Sequence, residues 1–212
     1  MKLVLISPPG SYPDEIQLLD AIFQAGLTRY DLRKPDWPSN RVAAWLEALP
    51  GRWRERVWLH SHHLLAADFR VGGVHYQDRP ISMTDSVEAI AIGYPTSRSC
   101  HDLVTLRTCL GQYDSVLFGP IFSSVSKAGH GPLPTPIAEG ARAILAARPP
   151  EQRRALVYAL SGITPENVSN CFRLGFEGVA AIGSVWNTPD PVTAFLALQA
   201  ATRVADPVAN QL

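Results

Sequence analysis

Two glycine-containing segments near the C-terminus have the residue types of a phosphate-binding site. They are Ala159-Leu160-Ser161-Gly162-Ile163 and Gly178-Val179-Ala180-Ala181-Ile182-Gly183-Ser184. Each has the pattern of a buried strand that leads into a Gly/Ser turn and then a helix. Glycine lets the backbone approach a ligand closely, and free N–H groups at a helix start attract anions. The sequence therefore predicts that Gly162, Gly183 and Ser184 bind a phosphorylated small molecule, unless the glycines serve only tight turns.

The elements around these turns alternate between strand-length apolar runs and amphipathic stretches, which is typical of a parallel sheet. Eight strands are predicted at Lys2–Ser7, Arg29–Arg33, Val57–Ser61, Gly73–Tyr76, Ala89–Gly93, Ser115–Phe118, Ala155–Leu160 and Gly178–Ile182. Helices are predicted at Asp14–Ala25, Ser39–Leu49, His63–Phe69, His101–Leu110, Pro136–Ala147, Pro165–Leu174 and Pro191–Ala201. This number of strands favours a single (β/α)₈ barrel (a TIM barrel) over residues 1–203, followed by a loose tail at 204–212.

Composition narrows the class of protein. The chain has 212 residues, of which 46% are hydrophobic, and this suits one compact domain. Its formal net charge is zero, so no overall field favours a nucleic acid or an anionic membrane as partner. Three cysteines without a CxxC spacing indicate a reducing, cytoplasmic compartment. The N-terminal apolar run is too short for a signal peptide, and no segment has the length of a membrane span.

The order of several segments resembles the thiamine phosphate synthase and thiazole tautomerase superfamily. The matching segments are Tyr30-Asp31-Leu32-Arg33-Lys34, Gly73-Val74-His75, Ser99-Cys100-His101, Phe118-Gly119-Pro120-Ile121-Phe122 with Ser124, Ser126 and Lys127, and the two glycine segments. The resemblance implies a (β/α)₈ barrel. It also implies one of two activities. The synthases join hydroxymethylpyrimidine diphosphate to thiazole phosphate with the help of Mg²⁺, giving thiamine phosphate and pyrophosphate, and the tautomerases aromatise the thiazole phosphate.

The resemblance assigns roles to residues that follow the second and fifth strands. Arg33 matches a contact to the pyrimidine diphosphate, although a salt bridge at the rim is the competing interpretation. Asp31 stands where the synthases usually carry glutamine, and Lys34 falls one residue before their usual lysine. Ser99 matches a serine that contacts substrate. We therefore predict Arg33 as a catalytic residue and Asp31, Lys34 and Ser99 as substrate-binding residues.

The loop after the sixth strand supplies the remaining predicted contacts. Ser124, Ser126 and Lys127 match a Thr-x-Thr-Lys pattern of the synthases. There the hydroxyls meet the thiazole phosphate and the lysine meets the leaving diphosphate. Lys127 is accordingly a predicted catalytic residue, and a solvated loop lysine is the alternative. Pro120 matches the synthase pattern, whereas the tautomerases carry histidine at that position.

A histidine-rich segment departs from the synthase pattern. Synthases resemble Asn-Asp where this chain has His60 and Ser61, and their second metal carboxylate has Asp78 as its nearest counterpart. Mg²⁺ prefers oxygen ligands in octahedral geometry, and these residues do not supply such a set. We therefore predict that Mg²⁺ enters the site only with the substrate diphosphate, with Asp78 as the nearest candidate for a protein ligand. His60, with His62 and His63, could line the site as neutral hydrogen-bonding groups, bind a softer ion such as Zn²⁺, or serve structure. An acid–base role also makes His60 a catalytic candidate.

Together these features predict a transferase of thiamine biosynthesis, similar to the thiamine phosphate synthases, that uses small phosphorylated substrates and no organic cofactor. The alternatives are an isomerase similar to the thiazole tautomerases, with His60 or His101 as base, and a non-catalytic protein that binds thiamine phosphate or thiazole phosphate. Four tryptophans cluster in the second and third strand–helix units: Trp37, Trp45, Trp53 and Trp58. They predict internal packing or an interface, and a homodimer would use the second arrangement.

Overall fold

A closed barrel of eight parallel strands, in sequential order, forms the centre of the computed structural model. The structure describes residues 1–78, 93–123 and 135–205. The strands are β1 (Lys2–Ile6), β2 (Tyr30–Leu32), β3 (Val57–Leu59), β4 (Gly73–Tyr76), β5 (Thr96–Cys100), β6 (Ser115–Phe118), β7 (Leu156–Leu160) and β8 (Gly178–Ala181). Strands β1 and β8 pair in register from Lys2 with Gly178 to Leu5 with Ala181, which closes the barrel. The predicted (β/α)₈ barrel is confirmed.

Helices connect the strands on the outside of the barrel. They are α1 (Glu15–Gln24), α2 (Ser39–Ala48), α3 (Leu65–Phe69), α4 (Leu103–Cys109), α5 (Thr135–Ala146), α6 (Val168–Arg173), α7 (Gly183–Trp186) and α8 (Pro191–Ala205). Two 3₁₀ turns, Gly51–Arg56 and Pro150–Arg154, precede β3 and β7. Helix α8 continues four residues beyond its predicted end at Ala201, through Ala205. Most of the predicted tail lies outside the described residues.

The predicted position of the fifth strand was wrong. The apolar run Ala89–Gly93 suggested a strand, yet the strand that pairs with β4 and β6 is Thr96–Cys100. Residues 89–92 themselves lie outside the described part of the chain. The error has a physical cause: β5 reads Thr-Ser-Arg-Ser-Cys and directs Ser97 and Ser99 at a polar partner inside the barrel. A strand that faces polar groups does not carry the apolar pattern by which buried strands are identified.

Two separate apolar clusters pack against the sheet, one on its outer face and one on its inner face. The larger lies between the strands and the helices, where α1 buries Leu19, Ile22 and Phe23, a spacing that places them on one helical face. The smaller cluster lies inside the barrel and consists of Val4, Ile6, Leu117, Tyr158 and Ala180. These five residues come from β1, β6, β7 and β8, so the apolar filling covers only that part of the barrel wall.

Helix ends agree with the chemistry of the sequence. Gly26 and Gly175 follow α1 and α6 with φ values of 106° and 87°, the left-handed conformation predicted for residues just past a helix. Asp102 caps α4 by accepting hydrogen bonds from the N–H groups of Val104 and Thr105. Asp190 caps α8 in the same way through Val192 and Thr193. These caps fix where the helices begin and therefore which loops reach the barrel mouth.

Gly178 leaves the space that the Tyr158 ring occupies inside the barrel. A Cβ at position 178 would clash with that ring and would lie 2.7 Å from Lys2 O. We therefore expect Gly178→Ala to lower the free energy of unfolding by about 1–3 kcal/mol through overpacking. Urea denaturation measures the change. Gly111→Ala is the control, because a Cβ there meets nothing within 4 Å. Equal unfolding midpoints for the two variants would contradict this account of the barrel interior.

The tryptophans pack within the chain, which is one of the two arrangements predicted for them. Trp45 stacks on Tyr30, Trp53 stacks on Phe23, and Trp58 lies inside the barrel. The homodimer prediction therefore gains no support from these rings. Among the described residues, no helix is both long and apolar enough to cross a membrane.

Candidate active site at the C-terminal mouth of the barrel

The carboxyl ends of the eight strands meet at one mouth, where active sites of this fold are built. Arg33 and His60 follow β2 and β3 closely, and Gly162 follows β7. Gly183 and Ser184 begin α7 directly after β8. Ser99 lies within β5 rather than after it, one residue before the strand ends. The fold thus brings these six predicted residues to the same end of the barrel.

A buried ion pair fills the barrel beneath this mouth. Arg29 Nε lies 2.6 Å from Asp31 Oδ1, and Arg29 Nη2 lies 3.0 Å from Asp31 Oδ2. The same guanidinium donates to Ser115 Oγ in β6 at 2.8 Å and lies 3.7 Å from the centre of the Trp58 ring. Because Arg29 precedes β2, reaching β6 requires its side chain to cross the barrel interior. The cation–π contact and the carboxylate together stabilise this buried charge.

Two histidines continue the polar filling from Asp31 toward β5. His60 Nε2 lies 2.9 Å from Asp31 Oδ2. The His60 ring stacks on His75, with 3.9 Å between the ring centres and 21° between the planes. His75 in turn lies 2.9 Å from Ser97 Oγ through Nδ1 and 2.9 Å from Ser99 Oγ through Nε2. Strands β2 to β5 therefore line a polar half of the barrel, opposite the apolar filling.

Burial and charge set the protonation states of this network. Burial raises the pKa of Asp31, but the Arg29 charge and the His60 hydrogen bond outweigh it and hold that pKa well below its usual value. Burial lowers the pKa of His60, and the charges of Arg29 and Arg33 act in the same direction against Asp31. Burial, followed by the neighbouring His60, places the pKa of His75 well below its usual value. Asp31 is therefore ionised and both histidines are neutral at neutral pH.

Because His60 and His75 are neutral in the folded protein, we expect its free energy of unfolding to depend on pH. Their folded pKa values lie below the unfolded value of about 6.5, so below that pH the unfolded chain binds more protons. We therefore expect the free energy of unfolding to fall as the pH drops from about 7.5 through the folded pKa values. The raised pKa of Glu15 acts in the opposite direction, so the measurement compares variants. Urea titrations of wild-type protein and His75→Gln should show a shallower pH slope in the variant, and equal slopes would contradict the assignment of a neutral His75.

The structure separates the three histidines that follow β3. His62 has a φ of 55° and its Nε2 lies 2.8 Å from Trp37 O. His63 is buried, with its Nε2 3.2 Å from His75 O. Only His60 enters the barrel, so the suggested Zn²⁺ site formed by His60, His62 and His63 is wrong. We take His62 and His63 to hold the loop after β3 in place.

Asp31, His60 and His75 are the one described group whose potential ligand atoms lie within 4.8 Å of one another. Their other contacts argue against a metal ion. Both Asp31 oxygens already bind the Arg29 cation, and both His75 nitrogens contact serine hydroxyls. A metal would have to displace Arg29 and break the stack of His60 on His75. The three residues are therefore better described as a satisfied hydrogen-bond network.

Lys34 serves the loop after β1 instead of facing the mouth. Its Nζ lies 2.8 Å from Pro8 O, 2.7 Å from Gly10 O and 2.6 Å from Glu15 Oε2. Three acceptors use all three protons of the ammonium group, and the side chain is fully buried. Burial lowers the pKa of Lys34 despite the nearby Glu15 carboxylate. We therefore reassign Lys34 from substrate contact to structural support, and Asp31, equally buried and paired, to support of His60.

The two glycine turns have distinct geometries. Ser161 and Gly162 have φ values of 81° and 64°, which is strained for serine and natural for glycine. At the other turn the hydrogen bonds of α7 begin with Val185 N–H, which donates to Ile182 O at 3.1 Å. Within the described part of the chain, the N–H groups of Gly183 and Ser184 donate to no backbone carbonyl. Ser184 Oγ is buried and likewise has no hydrogen-bond partner there.

Arg33 is held at the mouth by its backbone, while its side chain pairs with no described residue. Ser7 Oγ accepts from the Arg33 N–H at 2.8 Å and donates to Arg33 O at 2.9 Å. The half-buried guanidinium forms no ion pair or hydrogen bond to any residue that the structure describes. The competing interpretation of Arg33 as part of a rim salt bridge therefore fails for the described residues. An unpaired cation at the mouth is available to an anionic ligand.

Several predicted site residues cannot be placed. Ser124, Ser126 and Lys127 lie outside the described residues, so their predicted contacts stay predictions. Asp78 is described: its carboxylate is partly exposed and lies 4.0 Å from the Arg98 guanidinium. Asp31 and Asp78 are thus each next to an arginine, and His60 offers nitrogen. The described residues at the mouth do not form the oxygen-rich set that Mg²⁺ prefers.

Sequence reasoning missed Arg29, His75 and Ser97 as members of the barrel network. One signal was present: Arg29, Asp31 and Arg33 alternate, which places three charged side chains on one face of a strand. Glu15 was missed as well, because its partners Tyr30 and Lys34 are distant in the sequence.

Comparison with known proteins agrees with this fold. Curated relatives include the thiamine-phosphate synthase of Bordetella pertussis, 33% identical over 204 residues, covering 91% of this chain and 92% of that protein. A putative thiamine-phosphate synthase of Geobacter sulfurreducens is 26% identical over 182 residues, covering 84% of this chain and 82% of the relative.

Solved structures share the fold at lower identity. The thiamine phosphate pyrophosphorylase of Bacteroides thetaiotaomicron superposes with a TM-score of 0.75 at 24% identity, covering 96% of this chain and 98% of that one. The Pyrococcus furiosus thiamine phosphate pyrophosphorylase gives a TM-score of 0.77 at 19% identity and covers 96% of each chain. A sequence model described as thiamine monophosphate synthase matches residues 3–185. The chain therefore belongs to the thiamine monophosphate synthase family.

Proposed function

We propose that this protein is a thiamine phosphate synthase, a transferase that joins hydroxymethylpyrimidine diphosphate to thiazole phosphate and releases pyrophosphate. The observation that carries the proposal is the Arg33 cation, which has no partner among the described residues and lies at the mouth of a barrel of this family. Arg33 lies two strands away from the turn after β8, where Gly183 and Ser184 offer hydrogen-bond donors that no described residue uses. Two anionic groups on two substrates would then each find a separate set of donors.

The thiazole phosphate is proposed to rest on the turns after β7 and β8. N–H groups of Gly183 and Ser184 at the start of a helix, together with the Ser184 hydroxyl, suit a phosphate group. Gly162 is proposed to complete this phosphate cup from the turn after β7. Its position requires glycine, because a Cβ there would lie 2.7 Å from Phe122 Cβ and would force the loop after β6 to move. Its φ of 64° also favours glycine. Ser124 and Ser126 are proposed to add hydroxyl contacts to the same substrate.

The pyrimidine diphosphate is proposed to bind Arg33 and Lys127. The C–O bond between the pyrimidine methylene and the diphosphate breaks first, and its electron pair leaves on the diphosphate oxygen. The thiazole nitrogen then donates its lone pair to the methylene carbon and forms the new C–N bond. Negative charge grows on the leaving group as this happens, so cations held beside it stabilise the transition state. The protein performs no covalent step itself.

Any Mg²⁺ in this reaction is proposed to arrive on the substrate diphosphate, since the described residues do not form the oxygen-rich set that Mg²⁺ prefers. Calorimetric titration of the substrate-free protein with Mg²⁺ should therefore show negligible binding. A tight site in the substrate-free protein would contradict this proposal and would direct attention to the carboxylates between β4 and β5.

We also propose a cytoplasmic location. Its support is that Cys100, Cys109 and Cys171 are all free and buried.

One observation favours a second candidate function. The contact of Asp31 with His60 resembles the orientation of a catalytic base, as an isomerase similar to the thiazole tautomerases would require. His101, the other base candidate, instead has its Nδ1 bonded to Gly119 O. Binding of the same phosphates without reaction remains the third alternative.

The deciding experiment supplies purified protein with pyrimidine diphosphate and thiazole phosphate, with and without Mg²⁺, and measures thiamine phosphate. We expect formation of thiamine phosphate at catalytic turnover. A parallel reaction with the unaromatised thiazole phosphate alone tests isomerisation. If only the parallel reaction proceeds, the protein is an isomerase, and if neither proceeds while both ligands bind, it is a binding protein. Both results would overturn the synthase proposal.

A further inference from the structure

The hydrogen bond between Asp31 and His60 has a fixed direction. Asp31 is fully buried and pairs with Arg29 through both of its oxygens. An ionised carboxylate accepts hydrogen bonds and donates none. The 2.9 Å contact between Asp31 Oδ2 and His60 Nε2 must therefore carry its proton on the histidine. His60 is the donor at Nε2.

The other ring nitrogen of His60 then carries a lone pair. A neutral imidazole has one N–H, and here Asp31 holds that proton on Nε2. Protonation of His60 would place a third positive charge beside the Arg29 and Arg33 cations and against the stacked His75 ring. Nδ1 is thus an acceptor at neutral pH.

No residue that the structure describes uses this acceptor. Among the described residues Nδ1 of His60 has no hydrogen-bond partner, and it is not sealed from solvent. The side chain as a whole is only 5% exposed. Asp31 and His75 cover it from inside the barrel, and His60 directly follows the last residue of β3 at the C-terminal end. What remains accessible therefore faces the mouth.

We propose that His60 Nδ1 selects substrates that present an N–H donor to it, and that Arg29 and Asp31 are positioning residues that fix its tautomer. This inference rests on the proposed function, in which the donor is the amino group that the pyrimidine ring of hydroxymethylpyrimidine diphosphate carries at position 4. The stack on His75, which Ser97 and Ser99 hold by both nitrogens, fixes the plane in which the lone pair points. A substrate with a carbonyl in place of the amino group would set two acceptors against each other.

The tautomer can be measured without any substrate. Protein labelled with ¹⁵N in its histidines is studied by NMR at neutral pH, and the His60 signals are identified by their loss in His60→Gln. The ¹⁵N shift separates a nitrogen that carries a proton from one that carries a lone pair. We expect the proton on Nε2 and the lone pair on Nδ1. A His60 with its proton on Nδ1, or protonated on both nitrogens, would overturn the inference.

Substrate selection provides the second test. Asp31→Asn replaces the ionised carboxylate with a neutral amide, so position 31 no longer forces the His60 proton onto Nε2. Where the amide NH₂ faces Nε2, the proton moves to Nδ1 and the acceptor becomes a donor, and the same ¹⁵N measurement on the variant reports whether it has moved. The probes are the 4-amino pyrimidine diphosphate and its 4-oxo analogue. We expect the wild-type preference for the amino form, as a ratio of kcat/KM values, to fall by about tenfold to a hundredfold in the variant. Asp36→Asn makes the same chemical change at an exposed position in the next loop and should keep the ratio.

A loss of folding alone would lower the rates for both probes together and leave their ratio unchanged. An unchanged ratio in a folded Asp31→Asn protein whose His60 proton has moved to Nδ1 would contradict the inference. If the variant does not fold or keeps the proton on Nε2, the wild-type tautomer decides. Should the protein form no thiamine phosphate, the ratio of the two dissociation constants replaces the ratio of rates. A preference for the amino form that Asp31→Asn removes would then support this inference while the synthase proposal fails.

Discussion

Replacing Arg33 with alanine should lower the turnover of thiamine phosphate formation by about 10²–10³-fold, the scale for losing one preorganised group that stabilises transition-state charge. Arg33 is half-buried, and its guanidinium has no partner among the described residues, so its interactions are free for the substrate. Charge grows on the departing diphosphate only as the C–O bond breaks. The contact should therefore strengthen in the transition state, and KM should change less than kcat.

The matched variants for Arg33 separate charge from geometry. Arg33→Lys keeps the positive charge but loses the planar fork that binds two phosphate oxygens at once, so it should recover only part of the lost turnover. Arg107→Ala removes an exposed arginine from α4 and should leave turnover unchanged. Steady-state rates of thiamine phosphate formation measure all three. Wild-type turnover in Arg33→Ala would show that this arginine does not meet the diphosphate.

Introducing a carboxylate at Gly183 should abolish binding of thiazole phosphate, a loss of at least about a hundredfold in affinity. The new side chain of Gly183→Asp would stand at the start of α7, where unpaired N–H groups are proposed to receive the phosphate. Two negative groups cannot share this position without strong repulsion, and the aspartate would itself accept the N–H hydrogen bonds. Calorimetric titration with thiazole phosphate provides the measurement.

The control for this second variant adds the same charge to the same helix. Asn187→Asp places a carboxylate at the exposed end of α7, one turn beyond the proposed cup, and should bind thiazole phosphate nearly as wild type does. Ser184→Ala tests the orphan hydroxyl alone and should weaken binding by about tenfold, in line with the loss of one hydrogen bond to a charged group. Undiminished affinity in Gly183→Asp, with the folded state checked by circular dichroism, would refute the phosphate cup.

Elements whose signal is local in the sequence were predicted close to their observed positions. Seven of the eight strands were predicted near their observed positions because their apolar runs are local in the sequence. The two glycine turns were also predicted from the sequence, because a left-handed φ at Gly162 and a helix start at Gly183 depend on the residues at those positions. The predicted position of β5 was wrong because its inward-facing serines contact His75 on β4. A polar partner on another strand leaves no pattern in the local sequence.

The functional residues divide in the same way. By itself the sequence determined the barrel, the family resemblance and the candidate positions of Arg33, His60 and the phosphate cup, because these depend on local periodicity and on residue order along the chain. Only the tertiary structure decided which polar groups are available. It pairs Lys34 with Glu15 and Asp31 with Arg29, and it leaves Arg33 without a partner among the described residues. The sequence cannot supply this difference, because closure of the barrel determines which residues meet and how deeply each is buried.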